Sequence, residues 1–318
     1  MANFEWQFDA PSGVFKNHSL SSDLRSAAIA EAKFVQFCRP EPGYGRKMGE
    51  NITIARVSNL TVPTSGQLSE GVKIPEDDLT ISSVGITVVE WGRAVPYTSL
   101  SDDLGKYDMN SMVQKELMKQ MKLVMDGAAA TAFKAAKVCA IPTGISYADV
   151  TFDTDGTPST QALVNLTVGH VERIRDYMYA TLNVPGYGGG DEYIAIVSNK
   201  AARGIKSDAD WQDWHKYTDP EAKFKGEIGK LEGIRFIEQN NTGALSNGVG
   251  SGSILGEGIF FGDDAVAMVV AVDPELRAGI PGDFGRQKAV AWYGVMQFGE
   301  VFNTANAGEA RIVRLTSS

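Results

Sequence analysis

Cysteine and histidine are scarce in this chain of 318 residues, which contains two cysteines and three histidines. Cys38 and Cys139 lie far apart in the chain, without a Cys-x-x-Cys pair or a neighbouring histidine cluster. This spacing indicates neither a disulfide framework nor a zinc site, so two buried reduced thiols are expected. His18, His170 and His215 lack metal-ligand spacing, and packing or surface roles are expected for them.

Long hydrophobic runs are also missing. No stretch approaches the ~20 consecutive apolar residues that a membrane-spanning helix requires. The first residues, Met1 to Trp6, lack the basic and apolar regions of a signal peptide. The sequence therefore predicts no membrane association and a protein that stays where it is made.

Basic residues are too few and too scattered for tight binding to a nucleic-acid backbone. The chain has 30 Lys and Arg against 39 Asp and Glu, which gives a formal net charge of -9. Strong phosphate binding requires a clustered basic surface, and none is visible in the sequence. If this protein meets DNA, it is expected to enclose the DNA without sequence-specific binding.

Catalytic and nucleotide-binding motifs are not found. The glycine-rich loop 186–190 precedes a predicted strand instead of opening a helix, so phosphate binding is not indicated. The Gly-Ser-Gly-Ser run at 250–253 lies in a flexible stretch, which cannot hold a nucleophile in attack geometry. No enzyme activity, cofactor or metal is therefore expected. Four carboxylate pairs fall in predicted turns or caps, where Asp makes local hydrogen bonds: Asp77-Asp78, Asp102-Asp103, Asp191-Glu192 and Asp263-Asp264.

The first third of the chain predicts an arm followed by a long β-hairpin. A short helix is expected at Leu24–Phe37, and the Pro- and Gly-rich run 39–45 ends it. The two limbs of the hairpin are the β-branched segments Asn51–Val57 and Leu79–Val89. The polar connection between them buries little of itself, and isolated hairpins are marginally stable in water. The hairpin is therefore expected to need a partner surface.

A long helix is predicted from Asp108 to Ala136. At ~1.5 Å per residue it would span roughly 44 Å, which is the width of a small domain. Its apolar side chains recur at spacings of three and four residues, so it is expected to act as a structural spine. This apolar stripe comprises Leu117, Met121, Val124, Met125, Ala128, Ala132, Ala135 and Ala136.

The remaining sequence predicts a compact α/β region and then a strand-rich end. A helix at Thr167–Leu182 precedes the buried strand Tyr193–Val197, and a short helix follows. Residues 226–237 alternate as a strand or hairpin with glycine bends, and 243–252 are expected to form a mobile surface loop. The final strands are predicted at Ile259–Phe261, Met268–Val272, Ala289–Phe298 and Arg311–Leu315.

Taken in order, these elements resemble the major capsid proteins of tailed bacteriophages with the Hong Kong 97-type fold. The runs that carry the resemblance are distributed along the chain after residue 45, and none is a catalytic motif. They are Lys47–Ile52, Leu68–Gly71, Tyr97–Asp102, Phe224–Phe236, Phe261–Ala265 and Val272–Pro274.

The resemblance implies an α+β capsid fold and a coat subunit that is not an enzyme. Hexamers and pentamers of such subunits would form an icosahedral shell around double-stranded DNA. The shell would be assembled in the host bacterial cytoplasm and would become part of the virion. The implied divisions are an N-terminal arm (1–45), an extended β-hairpin loop (46–97), a peripheral domain with the spine helix (98–160), an axial domain (161–270) and strands returning to the peripheral domain (271–318).

The tip of the extended loop is expected to lie across a neighbouring subunit. Because only about 45 residues precede the hairpin, a separate scaffolding protein is expected as a partner, together with a portal. A decoration protein is a further partner that the resemblance allows. The expected interface residues at the tip are Gln67, Leu68, Glu70, Gly71 and Lys73.

Two other functions stay open on the sequence alone. A shell protein of an encapsulating nanocompartment would use the same fold but would load enzyme cargo instead of a genome. An enzyme without a recognised motif would remain a small oligomer and contain a pocket with convergent titratable groups.

Glycines at 49, 66, 71 and 85 also suggest hinges, through which a rounder precursor shell could expand.

Overall fold

The structure is a computed structural model, and the residues that it describes are 30–60, 62–63, 65–212 and 229–316. Most of the helix predicted at Leu24–Phe37 lies outside these residues, as do His18 and His215. Within the described part of that segment only Val35–Phe37 is helical, as a single 3-10 turn. The helical prediction is therefore wrong for residues 30–34, where the chain runs without regular structure.

The described residues form a mixed fold of helices and strands. The α-helices are α1 (Ser99–Leu104), α2 (Met109–Lys134), α3 (Val168–Asp176) and α4 (Asn199–Lys206). The strands are β1 (Arg39–Pro40), β2 (Asn51–Val57), β3 (Ile81–Thr87), β4 (Val89–Thr98), β5 (Val138–Pro142), β6 (Val150–Asp153), β7 (Tyr193–Ser198), β8 (Lys230–Leu231), β9 (Ile234–Gln239), β10 (Gly258–Phe261), β11 (Val266–Ala278), β12 (Gln287–Glu300) and β13 (Ile312–Leu315).

The predicted spine helix is confirmed as α2. Its first turn is capped by the carboxylate of Asp108, which accepts a hydrogen bond from the backbone N–H of Asn110 at 3.0 Å. Such a cap satisfies one of the free amide groups at a helix start and sets where the helix begins. The helix ends at Lys134, one turn before the strand β5.

A seven-stranded mixed sheet forms one side of the core, with strand order β6-β5-β13-β10-β7-β9-β8. The predicted buried strand is confirmed as β7, which lies inside this sheet and is buried along its whole length. Its side chains alternate between two faces: Tyr193 packs in a core with α3 and α4, while Ile194 packs in a core with α2. This sheet therefore separates the two main cores of the protein.

A four-stranded sheet of order β1-β11-β12-β4 covers the other side of the spine helix. Trp292 of β12 is buried against α2, and its indole N–H donates to the Gln120 side chain at 3.3 Å. Phe133 of α2 and Phe261 of β10 contact each other with ring centroids 4.9 Å apart. Because both sheets bury apolar side chains against α2, the helix holds them together.

Two local predictions need correction. The second hairpin limb was expected to run to Val89, but β3 ends at Thr87 and β4 pairs with β12 in the four-stranded sheet. The chain changes sheets at Val88, so the hairpin is joined directly to the main body. Residues 243–252 were expected to form a mobile loop, but Ala244 and Leu245 of this segment are buried in the core beside α2. The two apolar side chains pack against residues that are distant in sequence.

The two cysteines match the expectation of buried reduced thiols, since both Cys38 and Cys139 are free and buried. Burial and the nearby Asp126 carboxylate raise the pKa of Cys38 to about 12, which leaves it protonated and unreactive at neutral pH. Within the described part of the chain, no helix is both long enough and apolar enough to span a membrane.

Candidate intersubunit surface

The hairpin β2–β3 is anchored to the protein body by one of its faces. The two strands pair antiparallel, with Ile52 opposite Ile86 and Ile54 opposite Val84. Alternate side chains point toward the four-stranded sheet, where Ile86 is buried against Ala267, Val269 and Val301. A methyl group at Gly299 would lie 2.7 Å from the Ile86 side chain, so glycine permits the close approach of β12 and the hairpin.

Arg56 fastens the far end of this hairpin to the body. Its guanidinium donates to the Ser82 hydroxyl at 2.7 Å, to the Val301 carbonyl at 3.3 Å and to the Asn303 side chain at 2.8 Å. One side chain thus ties both hairpin strands to the turn that follows β12. Beyond this point the Ser58 side chain also hydrogen-bonds Glu309 of the body, whereas no hydrogen bond joins the described residues from Leu60 to Leu79 to the body.

The connection between the two strands is an exposed, mostly polar segment that carries several large apolar side chains. Every described residue from Asn59 to Thr80 is exposed to solvent. Six apolar side chains of this segment are between 51% and 89% exposed, namely Leu60, Val62, Leu68, Val72, Ile74 and Leu79. Groups of large exposed apolar side chains are uncommon on monomeric proteins, so this segment is a candidate contact surface. We call residues 59–80 the distal segment.

The distal segment has little internal structure that could hold its shape. Its internal contacts include a backbone hydrogen bond from Val72 to Ser69 at 3.2 Å and a Lys73–Glu76 ion pair at 2.7 Å. Both ion-pair side chains are largely exposed, so water screens their attraction and it contributes little to stability. These contacts therefore do little to fix the conformation of the segment.

The five loop residues predicted from the sequence all lie in the distal segment and are exposed: Gln67, Leu68, Glu70, Gly71 and Lys73. Gly71 has a φ of +80°, a conformation that favours glycine, and an added methyl group would meet no atom within 4 Å. The sequence analysis did not include Leu60, Val62, Val72, Ile74 and Leu79. The feature of the sequence that could have identified them was their apolar character among polar, turn-forming residues.

A cavity of about 450 Å³ lies where the hairpin joins the body. It is lined by residues of β3, by Lys137 after the spine helix, by the end of β12 and by Asn303. Glu300, the last residue of β12, also lines it, and one of its buried carboxylate oxygens has no hydrogen-bond partner. Burial raises the pKa of Glu300 to about 8, and the nearby cations Arg314, Lys137 and Arg56 only partly oppose this shift.

Asp126 is a second buried acid that the sequence analysis missed. It is the single charged residue between Lys122 and Lys134, in the apolar part of α2. A lone charge within an apolar stretch was the feature of the sequence that could have identified it. One carboxylate oxygen accepts hydrogen bonds from the backbone N–H groups of Lys33 and Phe34, both at 2.7 Å. The other oxygen accepts from the Gln239 side chain at 2.9 Å. Asp126 thus holds the segment before β1 against the spine helix.

Replacing Asp126 by alanine is expected to lower the free energy of unfolding by about 2–3 kcal/mol, because three donors would lose their acceptor in a buried site. The loss is moderated because burial also raises the pKa of this carboxyl, which shows that the charge itself is costly there. Urea unfolding followed by circular dichroism measures the change. The exposed Asp103→Ala variant is the control, and a similar loss in both variants would contradict the assigned role.

The remaining candidates for chemistry have structural partners. Nδ1 of His170 accepts a hydrogen bond from the Thr167 N–H at 3.1 Å, so Nε2 carries the proton and donates to the Gly144 carbonyl at 2.7 Å. Burial lowers the pKa of His170, which keeps the ring neutral. His170 therefore caps α3, in agreement with the expected packing role. Among the described residues, no group of three or more His, Cys, Asp or Glu side chains is placed to hold a metal ion.

The carboxylate pairs singled out in the sequence are spread over the protein. Asp102 pairs with Lys288 at 3.1 Å, and Asp264 pairs with Arg39 at 3.2 Å. Glu192 forms an ion pair with Lys230. These acids connect neighbouring elements of the fold and do not converge on one pocket.

Comparison with known proteins gives matches to solved structures. No family model matches the chain, and no curated protein does. The capsid asymmetric unit of cyanophage Pam1 has a TM-score of 0.71 at 14% identity, covering 96% of this chain and 97% of that chain. The acidic stable capsid structure of Helicobacter pylori bacteriophage KHP30 has a TM-score of 0.70 at 13% identity, covering 98% of each chain.

Mycobacterium phage Che8 supplies a further match, with a TM-score of 0.64 at 15% identity, covering 95% of this chain and 97% of that chain. Sequence identities this low show a shared fold, and the shared fold extends over nearly the whole chain. The fold expected from the sequence is therefore confirmed: this chain has the Hong Kong 97-type fold of phage capsid proteins.

Proposed function

We propose that this chain is the major capsid protein of a tailed bacteriophage, and that many copies assemble into an icosahedral shell around double-stranded DNA. The observation that carries the proposal is the near full-length likeness to phage capsid structures. The fold by itself does not define a function. The exposed apolar side chains of the distal segment independently support assembly, since a neighbouring subunit could bury them.

The distal segment would supply the main contact between neighbouring subunits. We propose that Gln67, Leu68, Glu70, Gly71 and Lys73 lie across the next copy, together with the exposed apolar residues of the segment. One copy would offer its loop and receive the loop of another, which is a head-to-tail contact. Such contacts generate rings when the rotation between copies closes. Hexamers and pentamers are the rings that an icosahedral shell requires.

The net charge of the chain bears on how the shell would hold DNA. A chain with a formal net charge of -9 has no general attraction to phosphate. DNA would therefore be enclosed and would be held by the closed wall, without sequence-specific contacts. The shell would form in the host bacterial cytoplasm, with a scaffolding protein to set its size and a portal for DNA entry. The mature shell would be part of the virion.

The division into arm, extended loop, peripheral domain and axial domain remains part of the proposal. In this division the spine helix α2 belongs to the peripheral domain and the strand β7 to the axial domain. Shell expansion would then require the extended loop to turn on the body near its attachment. Gly49, just before β2, has a φ of +91° and can bend the backbone at this attachment, whereas Gly71, with a φ of +80°, can do so only within the distal segment.

The proposal predicts that the purified protein, co-expressed with candidate scaffolding proteins of the same phage, forms uniform hollow polyhedra. Negative-stain electron microscopy and analytical ultracentrifugation measure particle size and homogeneity. Expression without the scaffolding protein is the control, and irregular or open assemblies are expected there. A stable monomer or small oligomer under every condition would contradict the proposal.

A shell protein of an encapsulating nanocompartment is the second candidate, because that function uses the same fold. The two functions differ in what the shell encloses. Particles purified from infected cells should contain DNA and a portal if the protein is a phage coat. Particles that instead carry a folded enzyme as cargo would favour the nanocompartment.

A further inference from the structure

The loop between β12 and β13 packs in two different apolar clusters of the protein. Near its start, Phe302 packs in the cluster around Ile86, beneath the hairpin. Further along, Ala310 is buried and Ala305 packs in the core that contains α3. We call residues 301–311 the β12–β13 loop. It connects the hairpin side of the protein with the α3 side.

The inner face of β2 becomes polar where it meets this loop. Ile52 and Ile54 point toward the body, and the strand alternation places Arg56 and Ser58 on the same face. Arg56 donates to the loop as described above. The Ser58 side chain hydrogen-bonds the carboxylate of Glu309. The far end of the hairpin is therefore held by hydrogen bonds to the β12–β13 loop, whereas its near end is held by apolar packing.

Glu309 organises the loop from within. Its side chain is buried, and its carboxylate accepts hydrogen bonds from the Thr304 hydroxyl at 2.6 Å and the Asn306 amide at 3.3 Å. The hydrogen bonds from Thr304 and Ser58 lower the pKa of Glu309, so the carboxylate is ionised at neutral pH. Hydrogen bonds to an ionised acceptor are stronger than neutral ones. One carboxylate thus closes the turn of the loop and binds the hairpin.

Gly308 forms the contact on the other side of the loop. Its N–H donates to the Leu182 carbonyl at 2.6 Å, just after the turn that ends α3. Gly308 has a φ of +79°, and an added methyl group would overlap the side-chain amide of Asn59. Asn59 is the first residue of the distal segment. Gly308 therefore lies between the start of the distal segment and the end of α3.

We propose that the β12–β13 loop couples the position of the extended hairpin to the end of α3. Energetic coupling can pass through contiguous packed and hydrogen-bonded groups, and the loop supplies such a series from Arg56 through Glu309 and Gly308 to Leu182. A displacement of the distal segment would then loosen the contacts at the end of α3. The coupling is a property of the single subunit. Only the source of the displacement, a neighbouring copy that holds the distal segment, rests on the proposed function.

Hydrogen exchange of the unassembled full-length subunit tests this coupling. Arg56→Gln removes the guanidinium at the hairpin end of the loop. Exchange is expected to rise about tenfold at the Ser58 amide, which donates to the Thr80 carbonyl in the hairpin. It is also expected to rise at least about threefold at the Val184 amide, which donates to the Met178 carbonyl beyond α3. Mass spectrometry with fragmentation of the peptides measures both amides.

The reverse experiment begins at the α3 end, because coupling between two sites is reciprocal. Gly308→Ala strains the left-handed backbone and displaces Asn59, so it should raise exchange at the Val184 and Ser58 amides together. Asp126→Ala is the matched control. It also removes a buried acid with three donors, but all of those donors lie outside the loop. It should leave exchange at both amides at the wild-type rate.

A further variant covers the case in which Arg56→Gln does not fold. Ser58→Ala removes only one donor to Glu309 and should raise exchange at the same two amides. If each variant raises exchange only at its own end of the loop, or at neither end, the inference is overturned. Particle formation does not enter this measurement. A wild-type chain that forms no particles would refute the proposed function and leave the coupling result unaffected.

Discussion

Replacing Leu68, Val72 and Ile74 together by serine is expected to abolish shell assembly while leaving the subunit folded. All three side chains are exposed in the single chain, so their loss should change the free energy of unfolding by less than about 0.5 kcal/mol. Burying each of them against a neighbour would contribute about 1.5–3 kcal/mol. The triple variant should therefore weaken each contact on the order of 5 kcal/mol, a loss of more than about a thousandfold in association.

Sedimentation velocity measures the fraction of assembled protein, and thermal unfolding checks the fold of the subunit. The matched control is the apolar triple variant Leu68→Met, Val72→Ile and Ile74→Val, which keeps a hydrophobic surface at the same positions and should still assemble. Normal particles from the serine variant would exclude these residues from the intersubunit contact. A subunit that fails to fold would show that the distal segment stabilises its own chain.

The second large effect is expected at Glu300, where the stability of the protein should depend on pH. The pKa of this buried carboxyl is raised from 4.5 to about 8. Below pH 4.5 the group is protonated in both the folded and the unfolded chain. As pH rises from 4.5 to about 8, the unfolded chain releases the proton first, so ionisation favours unfolding. The free energy of unfolding should fall across this range by up to about 5 kcal/mol.

The Glu300→Gln variant removes this titration, because its amide keeps the shape of the protonated carboxyl and cannot ionise. The difference in stability between variant and wild type should therefore grow in favour of the variant as pH rises toward 8. Urea unfolding at a series of pH values measures this difference. A difference that stays constant with pH would contradict the raised pKa.

Glu309→Gln provides a control of opposite sign. Hydrogen bonds from Thr304, Ser58 and Asn306 lower the pKa of Glu309. Its ionised form stabilises the folded chain above pH 4.5, and that stabilisation is lost as pH falls through the lowered pKa. The Glu309→Gln variant should accordingly be less stable than wild type at neutral pH, whereas Glu300→Gln should be more stable.

Glu300 lies close to the attachment of the hairpin. It lies beside the cavity where β3, β12 and the residues after the spine helix meet. An ionised Glu300 would favour entry of water into this cavity or closer approach of Arg56, Lys137 or Arg314. Because Arg56 also ties the hairpin to the body, the junction of the extended loop is the place where such a change would act.

Much of the fold could be predicted because its signals are local. The β-branched alternation of Asn51–Val57 and the capped apolar repeat of the spine helix are properties of residues close in sequence. Strand and helix formation depends on such neighbours, and these two predictions are confirmed by β2 and α2. The fold class was identified from the order of elements together with the resemblance of several runs to phage capsid proteins, although sequence identity to the solved capsid structures is low.

The predictions that failed depended on distant partners. Val89 follows the β3 strand in sequence, but β4 pairs with β12, about 200 residues later. Ala244 and Leu245 lie in a Gly- and Ser-rich stretch, yet they are buried against the spine helix. The local composition predicted a mobile loop there, but packing against residues distant in sequence buries these two side chains.

The sequence by itself therefore determined the hairpin limbs, the spine helix and the polar character of the loop tip, because each is written in a local pattern. Only the tertiary structure decided which side chains are buried and which remain exposed. Glu300 has a raised pKa because the chain folds over it, and Asp126 has three donors because distant segments meet there. Phe284 is exposed because the turn between the two long strands β11 and β12 lies away from both cores.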